Sequence, residues 1–570
     1  MKAAAALAAL ALAIPALLLP GRVGADATAT GIGYICGAEQ APLHSGPQLA
    51  VMLAGVGNGA SPADTTVPEA QAWYDEGLNL YHAFNHREAS AAFAKAAALD
   101  PSCALCEWGV ALGLGQTLNY GVTPQQTAQA LTHAERAAKL VKPGDARARA
   151  LIAALLVRYG KDTPPARRDT IYMQAMEDLA HRYPGDDEIA DLAAHALLIP
   201  ARHDDYSGVA RAEAILRTVL ARRPDDTAAI HYDIHATEFA GHPAQALPYA
   251  DKLAGLAPGA SHLVHMAAHT LMHVGQYERV ATVNAAALKV DADVEVKMDY
   301  AGPLSSQIYY LHNYTFGLAG ALMAGDGPLA LKYADHARVA FPAAFDKAMI
   351  VLPAGADRPA KASDRRATAD ARALVAYGRF APAKALALPE DPAEARIVRL
   401  YRHYARGEAF AARGARWAVR REAAAIAVLG AEAEKAHETA TVDIAAIAAD
   451  VLSGRAAMIA GRAETAAGFF TRAAARQEKA FAVKDNFDPP PWWYPVRRSL
   501  AAADLRAGRT ADAAREASAS LAGWPQDALA LRVLATAEAR LGQAGASRQH
   551  LAEARRAWRG DLAKVPIDLT

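Results

Sequence analysis

The chain has 570 residues and a formal net charge of zero, with Lys+Arg and Asp+Glu each at 60. This balance excludes the broad basic field of a nucleic-acid binder and the acidic tail of a solvating chain. Hydrophobic residues at 53% exclude a disordered polymer. About a quarter of the residues are alanine and only 7% are aromatic, so the composition favours helices over strands. The length exceeds one compact core and points to several domains or an open repeat array.

Residues 1–25 read as a signal peptide. Lys2 supplies the positive end, Ala3 to Leu19 the apolar stretch, and Val23-Gly24-Ala25 or Ala25-Asp26-Ala27 a small-residue cleavage site. The expectation is an exported protein, periplasmic or secreted, from a Gram-negative bacterium, with no membrane span after cleavage. No cysteine stands at the cleavage site, so a lipid anchor is not indicated. Residues 26–70, rich in Gly and Pro, read as a loose N-terminal arm. Cys36, Cys103 and Cys106 are too few for a disulfide framework. The Cys103/Cys106 pair suits a local disulfide or small-residue packing; Glu107 after it removes the covalent haem signature.

Residues 72–101 carry Trp73, Gly77, Ala89, Phe93, Ala96 and Pro101 at the spacing of a tetratricopeptide repeat. Gly77, Ala89 and Ala96 let paired helices approach, Trp73 and Phe93 fill the space between them, and Asp100-Pro101 ends the second helix. Glu76 and Leu80 depart from the usual Leu and Tyr. Weaker copies run over 229–258, over 263–292 with its turn at Gly275-Gln276-Tyr277, and from Asn313 with its turn at Gly325-Asp326-Gly327. Two more occupy 497–528 and 529–558, and helix pairs with insertions lie between. The fold expected is all-α, a tetratricopeptide-type solenoid of about ten to twelve helix pairs. It divides into an array over 71–352, a Pro-containing linker or kink over 353–370 and a second array over 371–570.

Eight of the 19 histidines lie between His231 and His312. His231 and His235 are four apart, with Glu238 three further on, and His262, His265 and His269 also share one helical face. His265 and His269 follow His231 and His235 by 34 residues, one repeat period. Alignment of the third copy on its Gly325 turn places His312 where His262 sits in the second. In this fold first helices line the concave groove, about 10 Å apart, so three neighbouring helices bring these side chains to one place. Imidazole and carboxylate bind zinc, copper, iron, nickel and manganese, and His at i and i+4 shares one metal. Six histidines and Glu238 exceed one site, leaving room for two metals or for histidines in acid–base or substrate-binding roles. The zincin arrangement is absent, because Tyr232 follows His231. His242 reads as a surface residue at an inter-helix turn, and His82 and His86 as structural. Asp291 to Leu311 adds about 16 residues beside the cluster, a passive loop or a lid. Asp488 to Pro495, with three prolines before two tryptophans and a tyrosine, reads as a stiff structural cap.

In its segments AFNHREA, HYDIHATE, HLVHMAAH, YYLHN and PPPWWYPVR the chain resembles a group of secreted bacterial tetratricopeptide-repeat proteins whose members read HYxIHxxE and HLxHMxxH. The resemblance runs from about residue 70 to the C-terminus and implies the fold and export; it carries no reaction. Two functions follow from the residues. One is a metal site in the groove, drawn from His231, His235, Glu238, His262, His265, His269 and His312, holding zinc, copper, iron or manganese and serving an enzyme of unspecified reaction. The alternative is an extracytoplasmic scaffold taking a peptide, protein or small molecule in the same groove. No phosphate loop, nucleophile elbow or nucleic-acid motif is present.

Overall fold

The structure, a computed structural model, describes residues 50–119, 121–203, 205–298, 308–340, 362–481 and 488–570. Among them stand 24 α-helices and no strand, each packed chiefly on its neighbours in sequence, which is the all-α helix-pair solenoid expected. No helix among them is long and apolar enough to cross a membrane. The signal segment and most of the N-terminal arm lie outside the described residues.

The first pair, Pro68–His82 and His86–Leu99, shows how the pattern residues work. Pro68 opens the first helix where its missing N–H costs nothing. A Cβ on Gly77 would stand 2.6 Å from the Phe93 ring, so only glycine lets that ring enter between the helices. Glu76, which replaces the usual Leu, accepts the backbone N–H of Leu53 at 2.7 Å and ties the preceding segment to the repeat. Cys103 and Cys106 form a disulfide at the start of the Ala104–Gly113 helix.

The superhelix winds back on itself. Asn58 donates to the Asp225 carbonyl at 2.7 Å and accepts from Thr227 N–H at 3.1 Å, and Gly259 N–H reaches the Gly55 carbonyl at 2.8 Å. The first helix thereby touches the Thr227–Phe239 helix, well over a hundred residues later. At the other end Arg559 N–H donates to the Ala324 carbonyl at 2.8 Å. One hydrophobic core runs from Leu53 to Val280 and takes in Phe316; a second runs from Tyr277 to Ala503. They meet where Ser261–His273, Tyr277–Met298 and Ile308–Ala324 pack together.

The linker or kink expected over 353–370 is described only in part. Residues 353–361 lie outside the described residues, but 362–370 already belong to the Ala362–Phe380 helix. No proline stands between Pro359 and Pro382, and alanine and arginine dominate the first turns, so nothing stops the helix from starting there. The insertion beside the histidines continues the preceding helix to Met298, and its residues 299–307 lie outside the described residues. The proline–tryptophan run is buried in the second core, with Trp492 and Tyr494 at 0% exposure.

Within the Asp187–Leu198 helix, Asp191 is buried and one carboxylate oxygen has no partner. Burial, aided by Asp226 and Glu188, pushes its pKa well above the usual range. The unfolded chain ionises near pH 4 while the folded chain holds the proton, so this group costs stability as pH rises above that point. Asp191→Asn is expected to raise stability by about 1–3 kcal/mol near pH 8 and to do nothing near pH 3. Urea midpoints at the two pH values test this; an equal change at both would refute it.

Candidate metal centre

The helix Thr227–Phe239 starts on Asp226, whose carboxylate accepts from Ala228 and Ala229 N–H at 3.0 and 3.1 Å. It carries His231 and His235. The following first helix, Ser261–His273, carries His262, His265 and His269, and Ile308–Ala324 carries His312. The structure sorts the six imidazoles into two sets of three. His231, His235 and His262 form one, His265, His269 and His312 the other; within each, the ligand nitrogens lie within 4.8 Å of one another. Each set is an i, i+4 pair completed by a histidine near the start of the next first helix. The sets adjoin, with the His235 and His269 rings 5.5 Å apart and those of His262 and His265 6.0 Å apart.

All six imidazoles are at most 2% exposed. This corrects the expectation of an open groove: the histidine face is closed by the winding of the chain. Phe84 from the first repeat covers the first set, its ring 4.4 Å from His231 and 5.3 Å from His262. Phe316 covers the second, 4.8–4.9 Å from His265, His269 and His312.

The second set has a defined hydrogen-bond logic. Asn284 donates its amide to the Val280 carbonyl, which turns its oxygen toward His265; that oxygen accepts from His265 Nδ1 at 2.7 Å. His269 Nδ1 donates to Glu238 Oε1 at 3.1 Å, and His312 Nδ1 lies 3.1 Å from Asp488 Oδ1. His265 and His269 Nδ1 are therefore committed as donors, and His312 Nδ1 lies within ion-pair distance of Asp488. His312 Nε2 stands 2.8 Å from His265 Nε2 and 3.3 Å from His269 Nε2. Wherever such Nε2 electron pairs face one another they repel unless a cation lies among them. A proton bridges one contact, whereas a metal serves all three. A tetrahedral ion held at about 2.0–2.1 Å separates its ligand nitrogens by about 3.3 Å, close to these spacings. In the first set His231 Nδ1 donates to the His82 carbonyl at 2.6 Å, leaving Nε2 to face His262 Nε2 at 3.1 Å. His235 Nε2 is buried without a partner.

Burial lowers the pKa of His231 to about 3 and holds His235, His262 and His265 well below the usual range. These rings are neutral at neutral pH, the state in which imidazole binds metal. Burial opposes ionisation of Glu238, yet its pairing with His269 and His273 holds it below the usual carboxylate range.

Of the seven residues named from sequence, the six histidines converge and Glu238 does not join either set. It accepts from His269 Nδ1 and His273 Nε2, both at 3.1 Å. Three residues past His235, it lies a turn further along its helix and reaches the next helix instead of the first set. It thus fixes the orientation of the His269 ring. Tyr309 packs on His262 at 4.3 Å, and Asn313 bonds Ser261 and Asp291. His242 pairs with Glu213 at a half-exposed turn. Sequence reading missed Asn284, Asp488, the His82 carbonyl and both phenylalanines. Only Phe84 left a signal. In later repeats the inter-helix turn has glycine at positive φ, as at Gly241 and Gly275; here Phe84 adopts φ 59°.

Such a conformation costs about 1–3 kcal/mol and persists where the surroundings require it. Phe84→Gly relieves the strain but forfeits about 3–5 kcal/mol of aromatic packing, for a net loss of about 2 kcal/mol. Phe84→Ala keeps the strain and should be the less stable of the two. Urea unfolding of both variants decides: an alanine variant more stable than the glycine variant would remove the strain argument.

No family model matches the chain, and no curated protein matches it. Solved structures do. A monomeric mutant of IFIT1 with m7Gppp-AAAA is 12% identical, with TM-score 0.30, over 80% of this chain and 90% of that one. The human IFIT1 dimer with PPP-AAAA is 14% identical, with TM-score 0.28, over 71% and 72%. Naa15/Naa10 bound to HypK-THB is 13% identical, with TM-score 0.22, over 86% and 70%. TM-scores of this order carry no argument about this chain, whose helical architecture rests on its own 24 helices among the described residues.

Proposed function

We propose that this chain is an exported metalloprotein holding two transition-metal ions, one in each trihistidine set. The observation that carries this is the convergence of His265, His269 and His312 Nε2, with His265 and His269 Nδ1 already committed as donors and Asp488 beside His312 Nδ1. An all-imidazole set suits zinc or copper better than manganese, which favours carboxylate oxygens. Glu238 and Asp488 place two carboxylates behind the second set, matching the charge of a divalent ion. Three ligands leave a fourth position on a tetrahedral ion for water or dioxygen, the geometry of a catalytic metal. The phenylalanine cover and the burial restrict that position to small molecules. A peptide lying on the histidine face is disfavoured, because that face is closed.

The test is elemental analysis of mature protein purified without a histidine tag and without chelator. Close to two equivalents of zinc or copper per chain are expected. No metal, even after reconstitution with zinc, copper, iron and manganese, overturns the reading and leaves the scaffold alternative.

A further inference from the structure

Far along the chain from the histidines, the helix Arg416–Lys435 packs on Arg396–Ala411 and Thr439–Ile459 and buries Val419, Ile426 and Leu429 in the second core. Its opposite face is open. Trp417, Arg420, Arg421, Ala424, Val428 and Ala431 are all exposed. At 100° per residue they share an arc of about 100°. Trp417 is 70% and Val428 60% exposed, and none of the other six tryptophans is exposed.

Cations surround this apolar strip. Arg413, in the turn before the helix, joins Arg416, Arg420 and Arg421, and residues 412–421 hold no acidic side chain. The Arg416 and Arg420 guanidiniums lie 4.8 and 5.3 Å from the centroid of the Trp417 ring. Among the described residues no carboxylate stands within ion-pair distance of Arg413, Arg416 or Arg420. Arginines on the helix Ala463–Ala480 are matched, Arg472 with Asp450 at 2.6 Å and Arg476 with Asp443 at 2.7 Å. The acids beside the strip are engaged. Glu422 is buried and pairs with His403 at 2.7 Å and Arg406 at 3.3 Å, with Arg421 at 4.0 Å. Glu432, at the edge of the strip, faces Arg396 at 3.6 Å and Arg399 at 4.0 Å.

We infer that this face docks on an anionic lipid surface, with Trp417 and Val428 entering the headgroup boundary and the arginines on lipid phosphates. An exposed indole beside an exposed valine marks a contact surface, and its ring of spare cations sets the sign of the partner. A second copy of this chain is disfavoured, because a two-fold contact would set these arginines against themselves. A purely ionic partner would leave Trp417 and Val428 in water. At a lipid interface indole and guanidinium are accommodated at one depth, and each basic side chain adds to the attraction. The face includes no histidine, so it stands apart from the metal reading.

The test is co-sedimentation of the full protein with vesicles of phosphatidylglycerol and phosphatidylcholine in equal parts, beside vesicles of phosphatidylcholine alone. Binding to the anionic vesicles only is expected, weakening as salt is raised. Trp417→Ala should weaken it about tenfold or more, and Arg413→Gln, Arg420→Gln and Arg421→Gln together about 100-fold. Absence of binding to the anionic vesicles, equal binding to both kinds, or an unchanged affinity in Trp417→Ala overturns the proposal. Release from the vesicles by poly-glutamate at equal charge concentration also overturns it and assigns the face to an acidic protein segment. Should the triple variant lose its helical circular dichroism, Trp417→Ala and the comparison of the two vesicles carry the decision. Metal content is read from the same preparation, so neither outcome can stand in for the other.

Discussion

His312→Ala is expected to remove one of two bound metal ions and leave the other in place. His312 Nε2 is the atom both other ligands of its set approach, at 2.8 and 3.3 Å. Without it, His265 and His269 remain as a two-ligand site, whose affinity should fall by on the order of 100-fold or more. The first set shares no ligand with the second, so His262→Ala should give the reciprocal result. Glu238→Gln keeps all six ligands and loses the charge behind His269, so its expected cost is milder, about 10–100-fold in affinity at the second site. Helicity should hold, because His312 lies inside Ile308–Ala324 and alanine is the better helix former. Metal-to-protein ratios after desalting, read beside circular dichroism, give the answer. Loss of both ions in either variant would mean one coupled cluster; loss of neither would mean the converging nitrogens are not the site.

Asp527→Ala is expected to be the most destabilising single substitution away from the histidines, at about 3–5 kcal/mol. Both Asp527 oxygens lie 3.0 Å from Arg498 Nη1, and the two side chains are 0% and 1% exposed. The same carboxylate caps the Ala528–Arg540 helix through Leu529 and Ala530 N–H. Alanine removes the cap and leaves a guanidinium buried over Tyr494 without its counter-charge. The double variant Asp527→Leu with Arg498→Met should recover most of the loss, because two apolar groups bury without a desolvation penalty. Chemical unfolding tests both. A single variant within about 1 kcal/mol of the parent would show that water or relaxation reaches this pair.

Much of the architecture was legible from local pattern. Gly77, Phe93 and Pro101 sit where a helix pair needs a close approach, a filler and a stop, and that pair formed. The 34-residue offset between His231/His235 and His265/His269 placed equivalent side chains on equivalent faces. His312 took the place that His262 has one repeat earlier. Of the 353–370 segment, the described residues 362–370 are helical, and its two prolines, Pro353 and Pro359, stand before them. Glu238 shares a face with His231 and His235 yet meets His269 and His273, because position on a face says nothing of which neighbouring helix a side chain reaches.

The residues by themselves therefore specified helices, their pairing and the register of six imidazoles, since all three follow from contacts within about one repeat period. The winding of the superhelix decided the rest. It brought the His82 carbonyl and Phe84 onto the first set and Asp488 behind the second, across 149 residues in the case of His82 and His231. It also turned an expected groove into a closed interior. Those contacts depend on small rotations between successive repeats, which accumulate along the array and leave no periodic trace in any one of them.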